Sequence, residues 1–207
     1  RTASAAADGD KGRRWSWWGR SCVQSGGSRT AANPEGLNND LREMEGTLNM
    51  AVALFIVAAC LRSGTFFVME HPDGSFVWLL TILAEWMRRY ESLQIVQLEQ
   101  CAWGARPSDW VPSDGDVRTR KSTRLLTNAP FASELGRRCA AQPAHAHKTV
   151  QGMDRNGKSR AKEAGHYTVG MCLHFAYLTR TAFDMGLVAK IETVPLMEIE
   201  SIFESVK

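Results

Sequence analysis

The 207-residue sequence has no apolar run long enough to cross a membrane: its longest, Met50 to Leu61, is 12 residues, whereas a span needs about 20. That run reads as the core segment of a helix, and no membrane partner is expected. Closely spaced cysteine pairs are also lacking. The five cysteines, Cys22, Cys60, Cys101, Cys139 and Cys172, are odd in number and scattered. This argues against a disulfide framework and suits a reducing, intracellular compartment. No secretory signal opens the chain, and residue 1 is Arg rather than Met, which reads as a fragment or a processed product. No internal repeat recurs, so a solenoid is excluded. With 44% hydrophobic and 23% charged residues, full-length disorder, collagen and coiled coil are excluded as well. What is left is one domain, or one domain with a tail.

Net charge is only +3, but it is unevenly spread. Arg118 to Lys162 holds 11 Lys and Arg against 2 Asp and Glu, which leaves the rest of the chain at −6. Such a stripe points to a polyanionic partner. A solvated basic loop is the plain alternative.

Residues 1–38 carry Ser, Gly, Ala and Arg without an apolar period and read as a disordered basic tail. Trp15, Trp17 and Trp18, interleaved with Arg13, Arg14 and Arg20, could stack on bases there. Asp40 with Glu43 resembles a capping box, opening a helix that runs to about Arg62 and stops at Gly64. Its apolar second half is expected to pack on a sheet. Thr65 to Met69 reads as a buried strand ended by Glu70, followed by the turn His71-Pro72-Asp73-Gly74. A helix over Phe76 to Tyr90 comes next, then strands at Gln94–Leu98 and Thr123–Thr127 with a polar loop between them. After a short helix near Ser133 to Cys139, a long basic loop covers about 140–160. A helix over Ala161 to Asp184 ends at Gly186. Residues 187–207 form a C-terminal amphipathic helix marked by Ile199, Ile202, Phe203 and Val206. Strands alternating with helices define an α/β class, with 39–186 as the domain.

The stretch Phe67-Val68-Met69-Glu70-His71-Pro72 resembles the Glu-Asn-Pro or Glu-Asn-Val motif of DNA cytosine-C5 methyltransferases, in particular their phage- and retroelement-associated branch. Downstream, Ile95 to Gly104 resembles the family's strand ending in an aromatic-Gly pair. Arg120 to Asn128 resembles the following basic strand. Cys139, His145 or His147, and Gln151-Gly152 resemble the branch's Cys/His/Gly loop, and Tyr167 to Phe175 its closing helix. The likeness covers about residues 65–178. It implies a partial Rossmann-like methyltransferase sheet flanked by helices, with Glu70 as the catalytic carboxylate that hydrogen-bonds the cytosine edge and stabilises charge developing at N3. By the same likeness Arg120, Lys121 and Arg124 hold the base or a nearby phosphate, and Arg137, Arg138, Lys158 and Arg160 extend the nucleic-acid contact.

The family's nucleophile and methyl-donor loop have no counterpart. The chain has no Pro-Cys dipeptide and no Gly-x-Gly after a strand before residue 65. His71 stands for the usual Asn, and Ser122 for Pro. The expectation is therefore the C-terminal half of such a domain, truncated or degenerate. It would bind nucleic acid without catalysing methyl transfer alone. S-adenosylmethionine would enter only if a separate N-terminal half completed the site, and the compartment would be nuclear in a eukaryote. A structural or interaction protein, its apolar helices buried on another chain, is the alternative from a different class.

Cys101, Cys139, His145 and His147 are the conceivable zinc ligands, but Cys-x5-His-x-His is not a usual zinc spacing, and no metal is expected. Cys101 as a nucleophile has no base tied to it by sequence. Cys60 and Cys172 fall on apolar helical faces and read as core. His166 and His174, two turns apart on one expected helix, read as unrelated histidines, and Trp78 with Trp86 as packing.

Overall fold

The computed structural model describes Trp18 and residues 27–37, 41–140 and 144–195. The protein divides into two compact units, one of residues 1–65, 74–90 and 191–207, the other of 66–73 and 91–190. The chain therefore passes from one unit to the other at four places.

The first unit is organised on α1, Leu41–Ser63. Glu43 in its first turn and Arg62 in its last complement the helix dipole. It stops at Gly64, whose φ of 64° is left-handed, while the Thr65 N–H donates to the Cys60 carbonyl at 2.9 Å. Met50, Leu54, Val57, Ala58 and Leu61 are buried; Leu48, Val52, Phe55 and Ile56 are exposed. At 23 residues, with a mean hydropathy of 1.8 and 44% of that window buried, α1 is long and apolar enough to cross a membrane. The 12-residue run understated it because Gly, Thr and Asn interrupt the apolar sequence without ending the helix. A buried core helix meets the same criteria of length and composition.

The disordered tail expected to reach residue 38 is corrected over its described part. Trp18 is 3% exposed and Arg29 0%. The Arg29 guanidinium donates to the carbonyls of Pro34 at 3.1 Å, Glu35 at 2.9 Å and Glu43 at 3.0 Å, and to Thr47 Oγ1. It also lies 3.5 Å over the Trp18 ring. Glu43 answers it with a carboxylate 3.7 Å away that accepts from the Ser28 N–H and hydroxyl. Gly36 closes this collar at φ 74°: a Cβ there would stand 2.5 Å from Glu43 Oε1. An apolar-periodicity reading misses the segment because a buried ion pair organises it. Trp15, Trp17, Cys22, the Asp40 cap and the amphipathic C-terminal segment with Ile199, Ile202, Phe203 and Val206 lie outside the described residues.

The helix expected over Phe76–Tyr90 is two pieces, a 3₁₀ turn Phe76–Leu79 and α2, Thr81–Arg89. Leu80 is extended between them, and Ser75 Oγ caps the turn by accepting from the Val77 N–H at 3.2 Å.

The second unit holds a three-stranded sheet of β1 (Val68–Pro72), β2 (Gln94–Glu99) and β4 (Ser122–Thr127), with β4 in the middle. A two-stranded parallel sheet pairs β3 (Val117–Arg120) with β5 (Ala146–Thr149). A single turn, α3 (Arg160–Glu163), and the longer α4 (Val169–Asp184) follow. Thr168 Oγ1 caps α4 by accepting from the Met171 N–H. Val96 and Leu98 of β2, Leu125 of β4, Ala132 and Leu135 of the 3₁₀ turn Pro130–Leu135, and Met171 and Leu178 of α4 form one core.

The class is α/β with small sheets. A Rossmann-like sheet is built of parallel strands joined by crossovers, whereas β1 and β2 both run antiparallel to β4. The helix expected over 161–184 is broken, so His166 and His174 do not share a helix. The two loops expected at about 105–119 and 140–160 contain β3 and β5.

Candidate metal centre

Cys101 sits in the 3₁₀ turn Gln100–Trp103 that follows β2 directly. Its carbonyl accepts from Arg118 Nη1 at 3.0 Å, which ties the turn to β3. Cys139 arrives from the segment after the Pro130–Leu135 turn, its N–H donating to Glu99 Oε2 at 2.6 Å. His145 and His147 flank Ala146 at the start of β5. Alternate residues of an extended chain share a face, so both imidazoles project to one side.

These four side chains meet. Their ligand atoms all lie within 4.8 Å of one another. Cys139 Sγ is 3.5 Å from His145 Nε2 and 3.4 Å from His147 Nε2, and the two Nε2 atoms are 3.1 Å apart. Tetrahedral zinc, with bonds of about 2.3 Å to sulfur and about 2.0–2.1 Å to nitrogen, separates S from N by about 3.5 Å and N from N by about 3.3 Å. Cys139, His145 and His147 have those separations, and Cys101 Sγ lies within 4.8 Å of all three. Two sulfurs and two imidazole nitrogens are a closed set, with no fourth position left for water or substrate.

The protonation energetics disfavour free-thiol chemistry at Cys101, and a metal there must displace the thiol proton. Burial, then the neighbouring Cys139, pushes the Cys101 thiol up to about 11, so without a cation it stays protonated and is no nucleophile. Burial and then the Arg118 charge hold His145 below its ordinary value, favouring the neutral imidazole that ligates. Glu99 and Arg118 supply the outer layer that orients such ligands.

Glu70 does not end its strand. It lies mid-β1, opposite Leu125. Its Oε1 is buried, 3.8 Å from Lys121 Nζ. The buried Tyr167 hydroxyl faces this carboxylate, its pKa raised by burial first, then by the Glu70 charge and by a hydrogen bond to Glu70. Lys121 Nζ is 5.6 Å from the Tyr167 ring centroid. Glu70 and Lys121 are thus brought together, with Tyr167 an addition.

The other expected contact residues disperse. Arg120 is exposed, and Arg124 pairs with Asp73. Arg137 lies 3.7 Å over the Trp103 ring. Arg138 donates to Gln97 Oε1. Lys158 is exposed, its N–H bonded to Asp154, and Arg160 is 3.9 Å from Asp109. Cys172, expected in the core, is exposed, and Cys60 is half-buried.

No closely spaced cysteine pair marks the cluster in the sequence, because Cys101 and Cys139 come from separate chain segments. The readable signal was His145-x-His147, an alternation that places two imidazoles on one side of a strand. No family model, curated protein or solved structure matches the chain.

Proposed function

We propose that the unit of residues 66–73 and 91–190 is a binding module stapled by structural zinc, held by Cys101, Cys139, His145 and His147. The observation that carries this reading is the convergence of two thiols and two imidazoles within 4.8 Å, three of them at the spacing tetrahedral zinc requires. The metal's role is mechanical. It fastens β5 and the Cys139 segment to the turn after β2, and its binding energy is folding energy. The test is elemental analysis of purified protein with cobalt substitution. One zinc per chain, and a tetrahedral cobalt–thiolate absorption band lost in Cys139→Ser, are expected. Metal-free protein that melts identically with and without chelator overturns the proposal.

Nucleic-acid contact without methyl transfer is the second reading, favoured by the exposed cations Arg120, Lys158 and Lys162. Glu70 beside Lys121 would be its recognition carboxylate. Among the described residues no strand precedes β1, and β1, β4 and β2 form an antiparallel sheet without the switch point at which such cofactors bind, so S-adenosylmethionine would enter this reading only with a separate N-terminal half.

A further inference from the structure

The walls of the metal centre continue into a second feature. Gln100 precedes the ligand Cys101 and Lys148 follows the ligand His147, and both line a cavity of about 340 Å³. That volume is in the range of small-molecule sites. Its cationic lining is Arg106, Lys148, Arg160 and, when protonated, His166, against Glu163 as the acid. Thr168 and Val169 also line it, so the N-terminus of the 16-residue α4 opens on the cavity and brings the positive end of its dipole.

The hydrogen-bonding state of the lining defines the missing chemistry. Gln100 is 1% exposed, and its Nε2 has no acceptor. Arg160 Nε is buried and unpartnered too. Gln Nε2 and Arg Nε can only donate. Buried donors left unpaired are costly, so the cavity calls for acceptors.

Charge leads to the same answer. Asp109 is the buried counter-ion of this wall, 3.2 Å from Lys148, 3.5 Å from Arg155 and 3.9 Å from Arg160. Asp114 takes a second share of Arg155 at 2.7 Å. Of these three cations Arg160 has the longest contact, and its Nε lacks an acceptor.

We propose that this cavity binds an oxyanion, the phosphate or carboxylate group of a small organic molecule. Its oxygens accept from Arg160 Nε and Gln100 Nε2, and its body lies on Ala105, Pro107 and Ala164.

Calorimetric titration of the full chain with inorganic phosphate, and separately with acetate, tests this. Saturable one-to-one binding of at least one anion is expected, and the stronger of the two identifies the headgroup. Arg160→Ala should weaken it about tenfold, as for loss of a charge-assisted hydrogen bond. Gln100→Met, which keeps the length of the side chain without its donor, should weaken it severalfold, and Arg180→Ala, in the last turns of α4 outside the cavity, should leave it unchanged. Absence of saturable binding by either anion, or equal affinities for Arg160→Ala and Arg180→Ala, overturns the proposal. Zinc content measured on the same samples keeps the two readings apart. Zinc-loaded protein that ignores both anions refutes the cavity alone, and zinc-free protein that binds phosphate refutes the staple alone.

Discussion

Arg29 shows how much one buried charge can organise. Its guanidinium satisfies carbonyls within the Asn33–Gly36 bend and in the first turn of α1, where it also neutralises Glu43. Arg29→Ala leaves the Glu43 carboxylate buried and uncompensated, a loss of about 3–5 kcal/mol. Arg29→Lys should recover only part of it, because an ammonium cannot reproduce the planar fork. Urea denaturation of the three proteins measures both. His71 provides a second test, through pH. Burial lowers its pKa from 6.5 to about 4; Glu70 opposes that shift and Lys121 adds to it. Between those values the unfolded chain binds a proton that the folded chain refuses. Stability is therefore complete above pH 6.5 and declines as pH falls towards 4, by about 3 kcal/mol in total. His71→Gln should flatten the stability profile across that window, and a slope left unchanged would assign it to other groups.

At the scale of elements, legibility followed apolar pattern. β2 and β4 alternate or run apolar and were readable within a residue or so; α1 and the body of α4 were readable from period and stop signals. β3 (Val-Arg-Thr-Arg) and β5 (Ala-His-Lys-Thr) were not. Each has four residues and almost no apolar face, so nothing in the sequence sets them apart from loop. Strand direction was also illegible, because a period of two is the same in parallel and antiparallel sheets. A sheet of two such short strands is marginal without other support, and two metal ligands sit at the start of β5. Chelation should therefore accelerate amide exchange in 117–120 and 146–149 while leaving the central strand β4 protected. Uniform acceleration over both sheets would mean that the cluster holds no element in particular. Leu126→Ala, by contrast, empties a fully buried site on β4 and should cost about 2–5 kcal/mol with metal bound or removed.

For the whole molecule, the decisive quantity is which charges remain available. The basic window 118–162 suggested a continuous polyanion track, because a window counts only the charges inside it. Folding brings acids from outside. Asp116 pairs with Arg118, Glu70 with Lys121, Asp73 with Arg124, and Asp109 and Asp114 take Lys148, Arg155 and Arg160. Six of the window's 11 cations are thereby engaged, and Arg137 and Arg138 are occupied with Trp103 and Gln97. Arg120, Lys158 and Lys162 are left as exposed cations of that window. The nucleic-acid reading then has a numerical consequence. Each phosphate neutralised contributes about −0.9 to the slope of log K against log salt on duplex DNA. Contact through those three gives a slope no steeper than about −3, whereas an unpaired basic track of the window's full complement would approach about −10. Fluorescence anisotropy with a short labelled duplex across a salt series separates the two. A slope near −3 that flattens in an Arg120/Lys158/Lys162 triple alanine variant is expected. A much steeper slope would mean that the ion pairs around Asp109 open on binding and release Lys148, Arg155 and Arg160 to the DNA. Anion titration would then lose its Arg160 dependence in the presence of saturating duplex.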